Sequence, residues 1–263
     1  MRKAKGLEYE EVGQGEPVLL IHGAFISDAL SLVAREPALA ERNRVIWYRR
    51  RGYGGSDPAS GPFSVADQAA DARQLLEALA IERAHVVGHS GGGVIATELA
   101  LQSPDLVRTL VELEPAIMPP ALAQAFPEML APAMEAYRSG DVAGGVDEFM
   151  NLVGPSPDWR GDLAKTLPDG PKQADQDAPV TFGELLGFTS WAFDEDRASR
   201  LSCPLVYCWG SESGPLIEQL KDHFLSLVPK AESILLPGVD HSMNTQDPAL
   251  VAGVVAEFLA RQS

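Results

Sequence analysis

The chain has 263 residues, and its 21 basic and 37 acidic side chains give a formal net charge of −16 at pH 7. Hydrophobic residues make up 45% of the sequence and charged residues 22%, which is typical of a globular protein with one large domain and an insertion, or with two small domains. The acidic balance argues against nucleic acids and anionic membranes as partners, because binding to phosphate groups requires clustered cations.

The cysteines favour a reduced, cytoplasmic location. Cys203 and Cys208 lie in or beside one predicted strand, an arrangement unsuited to a disulfide framework or a four-ligand metal site, so we expect buried free thiols. Residues 1–5 are basic, but polar and acidic residues follow where a signal peptide would continue with an apolar run. No apolar run approaches the length that spans a membrane.

Short apolar runs alternate with helical stretches along most of the chain. Residues 7–12, followed by Gly13-Gln14-Gly15, predict an antiparallel hairpin at the entry to the fold. The runs that predict the remaining strands are 17–21, 44–48, 85–87, 109–113, 205–209 and 233–236. This alternation predicts an α/β protein with a mostly parallel, doubly wound sheet flanked by helices.

Two helices are marked by capping residues. Ser64 and Asp67 fit a capping box that opens a helix over 65–80. Near the carboxyl terminus, Asp247-Pro248 predicts the start of a last helix over 249–261.

The most informative motif is Gly88-His89-Ser90-Gly91-Gly92, which follows the apolar run 85–87 and precedes a predicted helix over 94–101. A serine on a sharp strand-to-helix turn projects its hydroxyl clear of the sheet, and the first N–H groups of the helix point to the same place. The flanking glycines are needed because such a serine has a strained backbone that leaves no room for bulky neighbours. The motif therefore predicts that Ser90 is a nucleophile.

The alternation stops between residues 115 and 200, a stretch rich in proline, alanine, methionine and aromatic residues. Its pattern predicts helices over 121–138 and 142–152, then a turn-rich segment over 154–180. We expect a core domain of residues 1–115 and 201–263, and a helical lid of residues 116–200 over the carboxyl edge of the sheet, where α/β proteins bind ligands. Most apolar residues of the insertion are expected to hold it to the core.

Four motifs occur in the order typical of the α/β-hydrolase superfamily, and apart from the insertion the whole chain resembles that superfamily. They are His22-Gly23, Arg51-Gly52-Tyr53-Gly54-Gly55-Ser56, the turn at Ser90, and Pro237-Gly238-Val239-Asp240-His241. The resemblance implies that His22 shapes a turn and that His241 is the base. A serine hydroxyl needs such a base within hydrogen-bond reach to become a nucleophile.

The acid that orients the histidine departs from the common pattern. Most relatives carry an aspartate three residues after the glycine that ends the seventh strand, and Ser213 occupies that position here, with a local alternative as a helix cap. Glu114 matches the acid of those members that take it after strand six, including some lactone hydrolases and haloalkane dehalogenases. We expect Glu114 to be the acid, with Glu212 and Asp240 as alternatives.

The resemblance also implies an oxyanion hole made by the N–H groups of Ala24 and Gly91. The side chains expected to line the substrate pocket are Phe25, Met118, Trp191 and Met243. No cofactor and no metal are expected.

The expected activity is hydrolysis of a carboxylic ester or lactone of an apolar small molecule through an acyl-enzyme, because the insertion is rich in aromatic residues and methionine. The lactone option depends only on the position of Glu114. The alternatives are C–C bond hydrolysis, perhydrolysis or cofactor-free haloperoxidation, acyl transfer, and a ligand receptor with slow turnover. The sequence is compatible with a homodimer.

Overall fold

A central β-sheet organises the computed structural model, which describes residues 1–59, 61, 63–154 and 156–262. Within these residues the sheet has eight strands in the order β1-β2-β4-β3-β5-β6-β7-β8. Their bounds are Arg2–Ala4 (β1), Leu7–Val12 (β2), Glu16–Ile21 (β3), Asn43–Tyr48 (β4), Ala84–His89 (β5), Val107–Leu113 (β6), Leu205–Gly210 (β7) and Glu232–Leu236 (β8). Strands β3 to β8 are mutually parallel, while β2 runs antiparallel to β1 and β4. The predicted fold class is confirmed.

The helices cover both faces of the sheet and its carboxyl edge. Those of the core are Leu30–Arg35 (α1), Pro37–Ala40 (α2), Val65–Ala78 (α3), Gly91–Gln102 (α4), Pro215–Leu227 (α11), Met243–Gln246 (α12) and Pro248–Ala260 (α13). Those between β6 and β7 are Pro120–Met129 (α5), Ala131–Arg138 (α6), Val142–Val153 (α7), Trp159–Thr166 (α8), Gly170–Thr189 (α9) and Glu195–Ser199 (α10). Both predicted caps are present: Ser64 and Asp67 form the capping box of α3, and the Asp247 carboxylate accepts the Leu250 N–H at 2.9 Å.

The core consists of two apolar layers, one on each face of the sheet. Alternate residues of each strand point to opposite faces, so that Val18 and Leu20 of β3 join the layer under α1 and α13, while Leu19 and Ile21 join the layer under α3 and α4. Burial of both faces explains why the central strands are continuous apolar runs rather than alternating ones.

The predicted entry hairpin is wrong. β2 pairs with β1 and β4, and β3 lies on the far side of β4. The glycine-rich connection instead passes tightly against the chain before β4: a Cβ on Gly13 would lie 2.2 Å from the carbonyl oxygens of Ala40 and Asn43. The glycines therefore permit close backbone approach and not a two-strand turn.

The insertion is more helical than its sequence predicts. The segment 121–138 is divided into α5 and α6, because Pro132 lies in the first turn of a new helix. The segment 154–180 contains α8 and much of α9 instead of turns, apart from residue 155, which lies outside the described residues. Helix α9 continues through Pro179, since its side chains make the contacts with the core described below.

Both cysteines are free thiols, as predicted, but only Cys208 is fully buried and Cys203 is half-buried. Burial raises the pKa of Cys208 to about 12 and that of Cys203 to about 11. In the described part of the chain, no group of three or more histidine, cysteine, aspartate or glutamate side chains is arranged to hold a metal ion. None of the described helices combines the length and apolarity needed to cross a membrane.

Glu112 is an unusual core residue, a carboxyl on β6 that is fully buried beneath α4. One of its oxygens accepts a hydrogen bond from the Thr97 hydroxyl at 2.7 Å, and its Oε2 has no partner among the described residues. Burial raises the pKa of Glu112 well above its usual value. The fold therefore holds this side chain in its neutral form.

We expect the stability of Glu112→Gln, relative to that of the wild type, to increase as the pH rises. Because the folded-state pKa of Glu112 is raised, its contribution to stability is complete below the ordinary carboxyl pKa and is lost as the pH rises through the folded pKa. Each pH unit in that interval favours the neutral glutamine by up to about 1.4 kcal/mol. Thermal melts at pH 5 and pH 8 measure the difference. The exposed Glu148→Gln variant is the control, and a pH-independent difference for Glu112→Gln would contradict the expectation.

Candidate active site

Ser90 lies on the sharp turn between β5 and α4, with φ 54° and ψ −121°. The neighbouring glycines allow α4 to approach the sheet closely. A Cβ on Gly92 would lie 2.1 Å from the Ile21 carbonyl oxygen, and one on Gly88 would lie 2.5 Å from the Gly92 carbonyl oxygen. This packing holds Ser90 in a conformation that serines rarely adopt.

The structure brings Ser90, His241 and Glu114 together in one line of hydrogen bonds. The Ser90 Oγ lies 3.1 Å from His241 Nε2, and His241 Nδ1 lies 2.7 Å from Glu114 Oε2. Glu114 follows β6 and is fully buried, while His241 lies in the loop after β8 and is 7% exposed. His241 is 127 positions from Glu114 and 151 from Ser90 in the sequence, yet the three side chains meet at the carboxyl edge of the sheet.

Glu114 is held in its charged form by three donors. Burial alone would raise its pKa, but hydrogen bonds from His241, Ser213 and the Gly210 N–H outweigh burial and lower the pKa below its usual value. Ser213 donates at 2.6 Å and Gly210 at 2.8 Å, both to Oε1. An ionised Glu114 requires the proton of the neutral imidazole to be on Nδ1, which leaves Nε2 free to accept the Ser90 hydroxyl proton.

The alternative acids lie elsewhere. Glu212 is exposed and accepts a hydrogen bond from Ser211, while the Asp240 carboxylate accepts the N–H of Ser242 at 2.7 Å. Ser213 does not cap α11, since the residue before that helix is Gly214 and it makes no side-chain cap. The Ser213 hydroxyl instead donates to the carboxylate of Glu114, which follows the end of β6.

His89, the middle residue of the turn motif, has a role that the sequence did not indicate. Its Nε2–H donates to the backbone carbonyl of His241 at 2.8 Å, and the two rings lie 4.9 Å apart. Burial and the nearby His241 lower the pKa of His89 to about 3, so it is neutral. His89 thereby holds the loop that carries His241.

The loop after β3 lies beside Ser90. His22 shapes it, because its Nδ1–H donates to the Gly23 carbonyl at 2.8 Å and its Nε2 accepts the Arg50 N–H at 3.0 Å. Ala24 and Gly91 both line the cavity that contains Ser90. Gly91 is the first residue of α4, so its N–H has no partner within the helix.

An apolar cavity opens above Ser90 and His241, between the core and the insertion. Of the four predicted pocket residues, Met118 lies in its wall. Other apolar residues of the wall, which the sequence did not single out for this role, are Leu122, Phe126, Phe149, Val153, Leu185, Phe188, Leu216, Ile217 and Leu220. Their positions on four separate helices explain why no local pattern predicts them.

The other three predicted pocket residues pack against the core instead, Phe25 and Met243 fully buried and Trp191 half-buried. Phe25 is fully buried against Phe149 and Phe182, with ring centroids 4.9 and 5.2 Å away. Met243 is fully buried in the layer under α1 and α13. Trp191 stacks on Phe193 and donates its indole N–H to Glu98 at 2.8 Å. Each prediction fails because the side chain packs against other apolar residues of the fold and does not face the cavity.

A single ion pair interrupts the apolar wall in the described part of the cavity. Arg50 follows β4 and Glu184 lies on α9, and both side chains are almost completely buried. The two guanidinium nitrogens of Arg50 donate to the two carboxylate oxygens of Glu184 at 2.6 and 2.8 Å. Tyr53 and Gln68 also donate to the Glu184 carboxylate. Sequence analysis missed this pair, although a polar residue every third or fourth position of 173–184 is a detectable signal.

Comparison with known proteins gives the same assignment as the fold. A model of the alpha/beta hydrolase family matches residues 18–254. The chain belongs to this family. It is similar to the putative carbamate hydrolase RutD of Azorhizobium caulinodans, with 42% identity over 104 residues that make up 40% of this chain and 39% of that protein's length. It is also similar to the proline iminopeptidase of Heyndrickxia coagulans, with 24% identity over 96% of this chain and 93% of that one.

Among solved structures, the enol-lactonase of Burkholderia xenovorans LB400 has a TM-score of 0.79 with 18% identity, covering 97% of this chain and 96% of that one. The two proteins therefore share the same fold.

Replacing Gly92 by alanine should destabilise the turn at Ser90. The new Cβ would lie 2.1 Å from one backbone carbonyl oxygen and 2.6 Å from another, so the backbone must move. We expect the free energy of unfolding in urea to fall by about 3 kcal/mol or more. The matched control is Gly183→Ala in α9, where no atom lies within 4 Å of the added Cβ and a gain of about 0.5–1 kcal/mol is expected. Equal stabilities of Gly92→Ala and the wild type would contradict this account.

Proposed function

We propose that this protein is a serine hydrolase that cleaves a carboxylic ester or lactone of an apolar small molecule through an acyl-enzyme. The observation that carries the proposal is the line of hydrogen bonds from Ser90 through His241 to the buried Glu114, at the base of an apolar cavity. Family membership supports hydrolysis as the reaction type. In this proposal Ser90 is the nucleophile, His241 the base and Glu114 the acid.

The reaction follows from the direction of these hydrogen bonds. As Ser90 Oγ attacks the acyl carbon, its proton moves to His241 Nε2, and the ionised Glu114 stabilises the resulting imidazolium. His241 then gives this proton to the leaving oxygen as the C–O bond breaks. In a lactone, that oxygen stays tethered to the acyl group. Water then attacks the acyl carbon as His241 takes its proton, and the bond between Ser90 Oγ and the acyl carbon breaks. His241 returns the proton to Ser90 Oγ, and the acid is released.

The N–H groups of Ala24 and Gly91 are the proposed oxyanion hole. Both residues lie beside Ser90 in the wall of the cavity. Two such donors would each contribute roughly 3 kcal/mol to the stabilisation of the oxyanion, since they act where charge develops and water is excluded.

The surroundings of Ser90 support an apolar acyl group. The cavity wall is formed mainly by leucine, isoleucine and phenylalanine side chains from the core and the insertion. We propose that the insertion, residues 116–200, serves as the lid that closes over this group. A second recess beside Ser90 is lined by apolar residues such as Ile26 and Met150 together with His89, Asn244 and Thr245, and is the proposed place of the alcohol portion.

Replacing Glu114 by glutamine should reduce turnover strongly, because the amide cannot stabilise the imidazolium or enforce the correct tautomer. We expect a loss of kcat on the order of 10²- to 10⁴-fold. The measurement is steady-state hydrolysis of a nitrophenyl ester, with Glu212→Gln as the matched control expected to retain wild-type turnover.

Labelling with a fluorophosphonate tests whether Ser90 is the nucleophile responsible for this turnover. The wild type should be labelled at Ser90, and Ser90→Ala should lose both labelling and turnover. Near-normal turnover of Glu114→Gln would overturn the assignment of the acid, and absence of labelling at Ser90 would overturn the serine-hydrolase proposal.

A substrate panel separates the proposed class from other reactions of this fold. Because the cavity is apolar, kcat/KM for nitrophenyl esters should increase with acyl-chain length, each buried methylene contributing up to about 0.8 kcal/mol. Alkyl lactones should also be hydrolysed. Preference for acetate over octanoate would contradict the proposed acyl site.

The same panel identifies the alternative functions. Strong turnover of diketones or peroxide with weak ester hydrolysis would favour C–C bond hydrolysis or perhydrolysis. Ligand-induced stabilisation without product would favour a receptor.

A further inference from the structure

Helix α9 of the insertion presents a stripe of polar side chains to the loop of residues 23–28. Gln173, Asp177, Thr181 and Glu184 follow each other at intervals of four, four and three residues, which places them on one face of the helix. This face contacts the loop that carries Ala24 and the segment from Arg49 to Gly54.

The stripe binds the loop through the backbone. The Phe25 N–H donates to the Thr181 hydroxyl oxygen at 3.0 Å, and the Asp28 N–H donates to the Gln173 side-chain carbonyl at 3.0 Å. Asp177 accepts both the N–H and the hydroxyl of Ser27, at 3.3 and 2.7 Å. Within the loop, the Ile26 N–H donates to the Ala24 carbonyl at 2.7 Å.

Phe25 shows why the loop needs this support. Its φ of 60° lies in the left-handed region, which a bulky residue adopts only where its surroundings enforce it. Both its ring and its N–H are held by the insertion, the ring by Phe149 and Phe182 and the N–H by Thr181. The bonds from the Phe25 N–H to Thr181 and from the Ile26 N–H to the Ala24 carbonyl fix the Ala24–Phe25 peptide. This peptide shares the Cα of Ala24 with the Gly23–Ala24 peptide, which carries the Ala24 N–H, so holding one constrains the other.

The partners of Tyr53 and Thr181 indicate the direction of the hydrogen bonds around Thr181. Tyr53 has one hydroxyl proton, and it goes to the Glu184 carboxylate at 2.5 Å. Thr181, 2.9 Å away, must then donate its proton to the Tyr53 oxygen, which leaves its own oxygen to accept the Phe25 N–H. A directed chain runs from Phe25 through Thr181 and Tyr53 to Glu184, which is paired with Arg50. Such chains strengthen each member bond.

We propose that Thr181 is a positioning residue for the oxyanion hole: through the N–H of Phe25 it sets the direction of the Ala24 N–H beside Ser90. The insertion then contributes to catalysis as well as covering the cavity. This inference rests on the proposed function, because it assigns a role to Thr181 only if Ala24 stabilises an oxyanion formed on attack by Ser90.

The test compares Thr181→Val with Thr181→Ser. Valine matches threonine in shape but cannot accept the Phe25 N–H, so kcat for a nitrophenyl ester should fall at least about tenfold with KM changed less than about twofold. Serine keeps the hydroxyl and should restore most of kcat. The Ki of an alkyl trifluoromethyl ketone, whose hemiketal oxyanion occupies the same hole, should rise in Thr181→Val by about the factor by which kcat/KM falls.

Thr109→Val is the matched control. Thr109 is also fully buried and its hydroxyl bonds to a buried side chain, that of His85, but it lies near the opposite end of β6 from the site. We expect its kcat and Ki to equal those of the wild type. Should Thr181→Val give no soluble protein, Tyr53→Phe replaces it, because it removes the acceptor that orients the Thr181 hydroxyl, and a smaller loss of kcat at unchanged KM is expected.

Equal kcat losses in Thr181→Val and Thr109→Val, or a wild-type kcat in Tyr53→Phe, would overturn the role of Thr181. These results leave the serine-hydrolase proposal intact as long as fluorophosphonate still labels Ser90. Failure of that labelling in the wild type would remove the proposed function itself, so the two failures are distinguishable.

Discussion

Close packing of the first turn of α4 against the sheet is the constraint on which the site depends. The backbone of Gly92 approaches the Ile21 carbonyl so closely that a methyl group cannot fit, and this contact holds Ser90 at φ 54°. The same contact fixes the start of α4 directly after Ser90, at the end of β5, which pairs with β3 and β6. The carboxyl ends of these strands then bring Ala24, Ser90 and Glu114 to one edge of the sheet.

The acid illustrates how one site can be built from different strand ends. β6 and β7 are paired, with Leu113 opposite Cys208, so Glu114 reaches the Gly210 N–H and the Ser213 hydroxyl just beyond β7. The carboxylate therefore occupies the space beside the β7 loop although it comes from β6. Ser213, at the position where most relatives carry aspartate, supplies a hydrogen bond in place of a charge. Glu114 presents its other oxygen, Oε2, to Nδ1 of His241.

Features encoded by short sequence patterns could be predicted, and features that depend on long-range packing could not. The strand positions, the helix caps at Ser64 and Asp247, and the turn at Ser90 follow from periodicity and from side chains that bond to nearby backbone. The place of β2 beside β4 could not be predicted, because the glycines at 13 and 15 suit a hairpin and a close backbone approach equally well. Phe25, Trp191 and Met243 were misplaced because apolar character does not distinguish a cavity wall from a core layer. Helix α9 was missed because its prolines and charges indicate turns, while the contacts that stabilise it come from residues more than a hundred positions away.

The central claim is that Ser90 becomes acylated during turnover. Its most direct test is intact-protein mass spectrometry after rapid acid quenching of the protein mixed with excess nitrophenyl octanoate, with Ser90→Ala as the control. The account predicts that the wild type gains the mass of one octanoyl group, that peptide mapping assigns it to Ser90, and that the control gains none. Turnover of the ester without any acylated protein, or acylation at a residue other than Ser90, would contradict the account.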